Sequence, residues 1–100
     1  MIDFGLVEEF EWDAGNARKS ADKHGVSQAE AEQVFFNTPL LLFDDERHST
    51  EELRFHAYGK SDHGRLLQVS FTLRNDGRFV RVISARDMSR KERAVYDQEI

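Results

Sequence analysis

The segment from Leu67 to Ala85 constrains the fold most strongly, because it is typical of two strands joined by a tight turn. Apolar and polar residues alternate from Leu67 to Leu73, which is the period of a strand with one buried face. The turn residues Asn75-Asp76-Gly77 follow, and they favour the left-handed backbone of hairpin turns. The segment Phe79 to Ala85 then has the β-branched and aromatic residues of a second strand. The sequence therefore predicts an antiparallel hairpin.

Three other short segments have strand character, and a turn over 59–64 separates the last of them from Leu67. These segments are Val7–Trp12, Leu40–Phe43 and Leu53–Tyr58. A polar loop is expected over residues 44–49.

Helices are predicted where capping residues precede helical spacing. Asp13 caps a helix that ends at His24-Gly25, since glycine suits the left-handed position after a helix. The capping box Ser27 to Glu30 opens a second helix, which runs through Phe36 until Asn37-Thr38-Pro39 ends it. A second capping box, Ser89 to Glu92, begins a final helix through Tyr96.

The order strand, two helices, four strands and helix predicts an α+β fold. The sheet should be largely antiparallel, because short turns join three of the strands, and the helices should pack on one of its faces. One hundred residues are enough for a single domain over 1–100 with one modest core.

Composition excludes several classes of protein. No apolar run approaches the roughly 20 residues that span a bilayer, and residues 1–5 lack the features of a signal peptide. Without cysteine the chain has no disulfide and no thiol nucleophile. We therefore expect a cytoplasmic protein without a membrane partner.

Charge is distributed unevenly along the chain. The net charge is -5, but residues 1–59 carry five basic and thirteen acidic side chains, a balance of -8. Residues 60–93 carry nine basic and four acidic side chains, a balance of +5, and most of the basic ones are arginine, which suits bidentate phosphate contacts. The block predicts an anionic partner such as RNA, although a solvated, charge-mixed surface explains the asymmetry equally well.

Simple alternation in the last strand places Arg81 on the same side as Phe79, Ile83 and Ala85, where a charge needs a partner. That partner is either a carboxylate of the protein or a phosphate of a ligand. Arg74, Arg78 and Lys91 are interpreted as ordinary turn and surface charges.

Further candidates gather around the preceding strand and the last helix. Arg54 points to the same side as His56 and Tyr58, and Glu52 lies two residues earlier, so that both can project from one face. Arg86 follows the last strand, and with Arg90 and Arg93 on the helix it could line a groove. Such a set suits metal-free RNA cleavage, in which a base takes the 2′-hydroxyl proton, cations stabilise the phosphorane and an acid assists the leaving group.

Other patterns favour structural roles. His24, His48, His56 and His63 have no metal-site spacing, so no metal and no cofactor are expected. Lys23-His24 ends the first helix, where the helix dipole favours a cation. Phe35-Phe36 and Trp12 are interpreted as core residues.

Taken together, these stretches resemble the BrnT family of toxins from bacterial type II toxin–antitoxin pairs. The resemblance covers about residues 9–96 and is carried by Phe10-Glu11-Trp12-Asp13 with Asn16, Lys23 to Ser27, Glu30-Ala31, Val34-Phe35, His48-Ser49, Glu52 to Phe55, Gly64 to Val69, Arg81 to Arg86, Arg90 to Arg93 and Tyr96. Each motif is weak alone, and their order and spacing are specific.

The resemblance implies a RelE-like ribonuclease fold and a metal-independent endoribonuclease that arrests translation. It also implies a ribbon-helix-helix antitoxin similar to BrnA, through which alone the toxin would reach operator DNA. The catalytic residues it implies are Glu52 as base or electrostatic group, Arg54, Arg81 and Arg86 as phosphate ligands, and Lys23 and Tyr96 as positioning or transition-state groups. Arg65, Arg90 and Arg93 are the implied RNA-binding residues.

The chain departs from the family pattern at two places. Glu51 stands where a glycine is usual, and Asp87-Met88 only loosely matches the alanine that is common after Ser84-Ala85-Arg86. A catalytically weak or inactive module that binds the antitoxin and acts in operator autoregulation is therefore the alternative function.

Overall fold

The computed structural model describes residues 7–46 and 52–99, which form a five-stranded sheet with helices on both of its sides. The strand order is β1-β5-β4-β3-β2. In chain order the elements are β1 (Glu9–Trp12), α1 (Ala14–His24), α2 (Gln28–Gln33) with a 3-10 turn (Val34–Phe36), β2 (Leu41–Asp44), β3 (Arg54–Lys60), β4 (Leu66–Arg74), β5 (Phe79–Asp87) and α3 (Arg90–Asp97). The predicted α+β fold with a mostly antiparallel sheet is confirmed.

The strand pairing is mixed. β2, β3, β4 and β5 pair antiparallel in succession, whereas β1 pairs parallel with β5 at the other edge. The predicted hairpin joins β4 to β5, and Asn75 and Asp76 have the positive φ values of 55° and 57° that favour these residue types. Strands β3 and β4 extend further than predicted, to Lys60 and from Leu66, which shortens the turn between them.

One face of the sheet, here called the apolar face, carries the core. Phe71 of β4 is fully buried at its centre, with its ring edge-on to Phe35 at 5.1 Å between centroids and 5.5 Å from the Phe55 ring. Such aromatic pairs stabilise a core beyond the area that they bury. Phe36 was predicted as a core residue, and this is wrong: it is 75% exposed, and its ring forms a T-shaped pair with that of Phe10 at 5.9 Å between centroids.

A β-bulge in β5 changes which side chains share a face. Phe71 pairs with Val82, but Ser70 pairs with Ser84, so Ile83 is an extra residue in β5. The predicted grouping of Arg81 with Ala85 is therefore wrong. Ala85 is buried in the core with Val82, while Arg81 pairs with Thr72 and points to the opposite, polar side.

Helix caps follow the sequence, with one difference. Ser89 and Glu92 form the complete capping box of α3. Ser27 accepts the backbone N–H of Glu30 as predicted, but the Glu30 carboxylate turns to Arg65 instead of closing the box. No helix within the described ranges is long and apolar enough to cross a membrane.

The helices do not all pack on one face. Helix α1 packs along β5, where the Ser20 hydroxyl accepts the backbone N–H of Ala85 in the core, and Val34 after α2 belongs to the same core. Helix α3 lies on the opposite, polar side. Its Glu92 accepts a hydrogen bond from Arg86, which pairs with Gln68 and points to that side.

Gly59 generates a prediction about the contact between β3 and the turn after α2. A Cβ at this position would lie 2.7 Å from Val34 Cγ1 and 3.3 Å from the Val34 carbonyl oxygen. We expect Gly59→Ala to lower the free energy of unfolding by about 1–3 kcal/mol, measured by urea denaturation, because Val34 is fully buried and has little room to move.

The matched control is the same substitution in a Val34→Ala background. Removing the clashing methyl group should reduce the cost of Gly59→Ala by about 1 kcal/mol or more. Equal costs in both backgrounds would show that the contact does not limit this position.

Candidate active site

The polar face of the sheet is built by the residues of β3, β4 and β5 that point away from the core. Cross-strand pairing aligns them in three rows, since directly paired residues project from the same face. The rows are Arg54–Thr72–Arg81, His56–Ser70–Ser84 and Tyr58–Gln68–Arg86. The bulge at Ile83 keeps Arg81 and Arg86 on this one face.

The first row places two predicted phosphate ligands on either side of Thr72. Arg54 and Arg81 are each the direct partner of Thr72, so their backbones lie about 10 Å apart, twice the usual strand spacing. Both side chains are partly exposed. Two guanidinium groups at this spacing can both contact one phosphate, because an arginine side chain spans about half of that distance or more.

Arg81 is only loosely held by the protein. Among the described residues its nearest carboxylate oxygen, Asp13 Oδ2, lies 3.9 Å from Nη2, too far for a hydrogen bond. Asp13 also caps α1 by accepting the N–H groups of Gly15 and Asn16. An exposed pair of this length contributes little to stability, so Arg81 can exchange it for an anionic ligand.

Glu52, the predicted base, lies next to the first row. It precedes β3, and its Oε1 is 3.1 Å from Nη2 of Arg74, which follows Thr72 by two residues on the polar face. Both side chains are more than two-fifths exposed, at 46% and 41%. Glu52 lies outside the strand, which begins at Arg54, and its proximity to Arg54 stays a prediction.

Arg86 is held by the protein at the other end of the polar face. Its two terminal nitrogens donate to both carboxylate oxygens of Glu92, at 2.7 and 2.8 Å. Hydrogen bonding from Arg86, opposed by partial burial, lowers the pKa of Glu92 to about 2, and the same pair raises the pKa of Arg86. This geometry makes Arg86 an anchor for α3.

The other predicted residues do not meet in the first row. Tyr96 is fully buried, which raises its pKa, and its hydroxyl donates to the Pro39 carbonyl at 2.6 Å. Arg90 and Arg93 are exposed on α3. Lys23 is exposed in the last turn of α1, the helix that packs along the apolar face.

Arg65 connects several elements of the fold. Its guanidinium donates to both carboxylate oxygens of Asp87 at 2.8 and 3.0 Å, and to the carbonyls of His24 and Gly25 at 3.1 and 2.8 Å. It also pairs with Glu30 at 3.3 Å. These contacts close the junction of α1, α2 and β5, and they favour a structural role over the predicted RNA binding.

A polar cluster in the second and third rows was not predicted. His56 Nε2 lies 3.1 Å from Asp45 Oδ2, and His56 Nδ1 lies 2.9 Å from Ser70 Oγ, with the Gln68 amide also at Nδ1. Asp45 is buried, and a buried carboxylate needs such partners. The run Gln68, Ser70, Thr72 in an otherwise apolar central strand was the signal in the sequence, since buried polar side chains require partners.

Thr72 is exceptional on this face. Among the residues that the structure describes, its Oγ1 is the one buried side-chain polar atom without a hydrogen-bond partner. An unsatisfied buried hydroxyl costs roughly 1–3 kcal/mol of stability.

No group of three or more potential metal ligands occurs within residues 7–46 and 52–99. Two features named from the sequence, His48 and the substitution of Glu51 for glycine, lie outside the described residues.

Comparisons with known proteins agree with this architecture. A family model described as the ribonuclease toxin BrnT of type II toxin–antitoxin systems matches residues 12–92. The crystal structure of the Brucella abortus ribonuclease toxin BrnT is similar, with a TM-score of 0.64 and 21% identity over 84% of this chain and all of that one. No curated protein matches the sequence.

The Arg86–Glu92 pair generates a prediction about acid stability. Because the pKa of Glu92 is lowered from 4.5 to about 2 in the folded state, its contribution is complete above 4.5 and is lost as pH falls towards 2. Glu92→Gln should therefore destabilise the protein at neutral pH, and its difference from wild type should shrink between pH 4.5 and about 2. Urea denaturation of both proteins across this pH range measures the difference in their free energies of unfolding.

The matched control is Glu99→Gln, at an exposed position after α3. Glutamine at position 92 can still accept the Ser89 N–H of the capping box, so the effect isolates the ion pair. A wild-type to Glu92→Gln difference that stays constant down to pH 2.5 would contradict this role for the pair.

Proposed function

The chain belongs to the BrnT family of ribonuclease toxins from type II toxin–antitoxin systems, and we propose that Arg54 and Arg81 bind the phosphate at which it cleaves RNA. The single observation that carries this proposal is the first row of the polar face, where two partly exposed arginines flank Thr72. Cleavage of RNA by this site would arrest translation in the cytoplasm.

The arrangement supports cleavage by side chains. A base takes the proton of the 2′-hydroxyl, the 2′-oxygen bonds to phosphorus, and the bond from phosphorus to the 5′-oxygen breaks as that oxygen receives a proton. The products are a 2′,3′-cyclic phosphate and a 5′-hydroxyl. Arg54 and Arg81 would stabilise the negative charge that develops on the phosphorane, because both carry fixed positive charge next to it.

We propose Glu52 as the base. Its carboxylate is nearly half exposed and is held by Arg74 at 3.1 Å, one row from the arginine pair. The pair with Arg74 is weak because both side chains are well hydrated, so Glu52 can turn towards a bound ribose.

The remaining predicted residues take outer roles in this proposal. Arg86 and Tyr96 position α3, through Glu92 and the Pro39 carbonyl respectively. Arg90 and Arg93 would contact the RNA backbone from the exposed side of α3, and Lys23 would add positive charge at the end of α1.

We further propose that a BrnA-like ribbon-helix-helix antitoxin neutralises the toxin and carries it to operator DNA. Membership of a type II toxin–antitoxin family implies a cognate antitoxin. The acidic edge strand β1, with Glu9 and Glu11, and the adjacent Glu8 and Asp13 offer a surface for a basic segment of that partner.

A second function is favoured by the contacts of Arg65 and Arg86. Both guanidinium groups are occupied by carboxylates of the protein. Arginines that are already paired in this way suit a module that binds the antitoxin without cutting RNA. Purified protein that binds the antitoxin tightly but leaves RNA intact would favour this alternative.

Substitution of the paired arginines tests the ribonuclease proposal. Arg54→Ala and Arg81→Ala should each reduce RNA cleavage by about 100-fold or more, because each removes a charged donor to the developing phosphorane. Cleavage of purified RNA and growth arrest on expression are the two measurements, with circular dichroism to confirm folding.

Arg78→Ala provides the matched control, since Arg78 is exposed in the turn between β4 and β5. It should retain full cleavage. Toxicity that survives the double change Arg54→Ala and Arg81→Ala would contradict the assignment.

A chelator tests the proposed independence from metal. Cleavage should proceed at an unchanged rate after dialysis against EDTA, because the arginine pair supplies the positive charge at the phosphate. A loss of cleavage with EDTA that is restored by a divalent cation would overturn this part of the proposal.

A further inference from the structure

Among the described residues, Thr72 carries a buried hydroxyl that forms no hydrogen bond within the fold. It is 1% exposed near the end of β4, and its Oγ1 has no hydrogen-bond partner among the residues that the structure describes. Other buried serines are satisfied: Ser20 accepts the Ala85 N–H, and Ser61 accepts the Arg65 N–H, both at 3.1 Å. Valine has nearly the same shape and would avoid the unsatisfied hydroxyl.

This hydroxyl lies between two arginines. Thr72 pairs with Arg54 on one side and Arg81 on the other, and all three side chains project from the polar face. The nearest described carboxylate of Arg81 is 3.9 Å away. An anion that sits between the two guanidinium groups would come to rest above the Thr72 hydroxyl.

We propose that the Thr72 hydroxyl is a third ligand of the RNA phosphate, donating a hydrogen bond to a non-bridging oxygen held between Arg54 and Arg81. This inference rests on the proposed function of the arginine pair. The β-branched side chain restricts χ1, so the direction of the hydroxyl is fixed by the strand before RNA binds.

Access to Oγ1 requires the side chains around it to move. Arginine side chains are long and flexible, and a phosphate that draws both guanidinium groups towards itself would uncover the hydroxyl beneath them. Thr72 would therefore be buried in the free protein and bonded in the complex.

Thr72→Val separates this role from a purely structural one, because the two effects have opposite signs. Removal of an unsatisfied hydroxyl should leave the urea midpoint unchanged or raise it. Removal of a phosphate ligand should reduce RNA cleavage by roughly tenfold to a hundredfold, the range for one hydrogen bond to a charged group. Thr72→Ser should retain most of the activity.

Ser20→Ala is the matched control for loss of a buried hydroxyl. Its hydroxyl is bonded on the apolar face and faces no proposed ligand. This variant should lower the urea midpoint and keep wild-type cleavage per folded molecule, the reverse of Thr72→Val.

Binding of a 2′-O-methyl RNA oligonucleotide, which cannot be cleaved through its 2′-oxygen, separates failure of this inference from failure of the proposed function. Fluorescence anisotropy should show weaker binding by Thr72→Val than by wild type or Thr72→Ser, even if the wild type cleaves no RNA. Wild-type cleavage and binding in Thr72→Val would overturn the inference alone. A fall in the urea midpoint of Thr72→Val would also overturn it, since the hydroxyl would then have a partner in the fold.

Discussion

The extra residue in β5, Ile83, is the constraint on which the organisation of the site depends. In a regular strand residues 81 and 86 point to opposite faces, because side chains alternate. The bulge shifts the alternation by one residue between Val82 and Ser84. As a result β5 supplies Val82 and Ala85 to the core on one side and both arginines to the polar face on the other.

Much of the fold could be predicted because its signals are local. The hairpin at Asn75-Asp76-Gly77 and the capping box at Ser89 each lie within a few residues, and both are present. The bulge left no such mark, because no glycine or turn residue stands at Ile83. Simple alternation was therefore correct up to Val82 and wrong for Ala85, whose position depends on its pairing with Val69.

Contacts between distant parts of the chain explain the other differences. Glu30 was expected to complete the cap of α2, but Arg65 lies 3.3 Å from its carboxylate and competes for it. Phe36 was expected in the core because it adjoins Phe35, yet the tight 3-10 turn buries only one of the two rings. Neither outcome is encoded by the residues immediately around it.

The arginines within residues 60–93 take different roles, depending on which carboxylates the fold places next to them. Asp87 and Glu92 satisfy Arg65 and Arg86, so those two cations hold the junction of α1 and α2 and the start of α3. Charge counts along the sequence cannot make this division, because they show cations and carboxylates without their distances.

The same contacts determine which part of the polar face is open to a ligand. Glu92 places α3 beside the third row. The pKa of Tyr58 in that row is raised, mainly by burial and further by the negative charge of Glu92. The first row lies at the opposite end of the strands, next to exposed Arg74 and Glu52. An RNA strand would therefore approach from the end of the face where Arg81 is only loosely paired and where the one unsatisfied buried hydroxyl among the described residues lies.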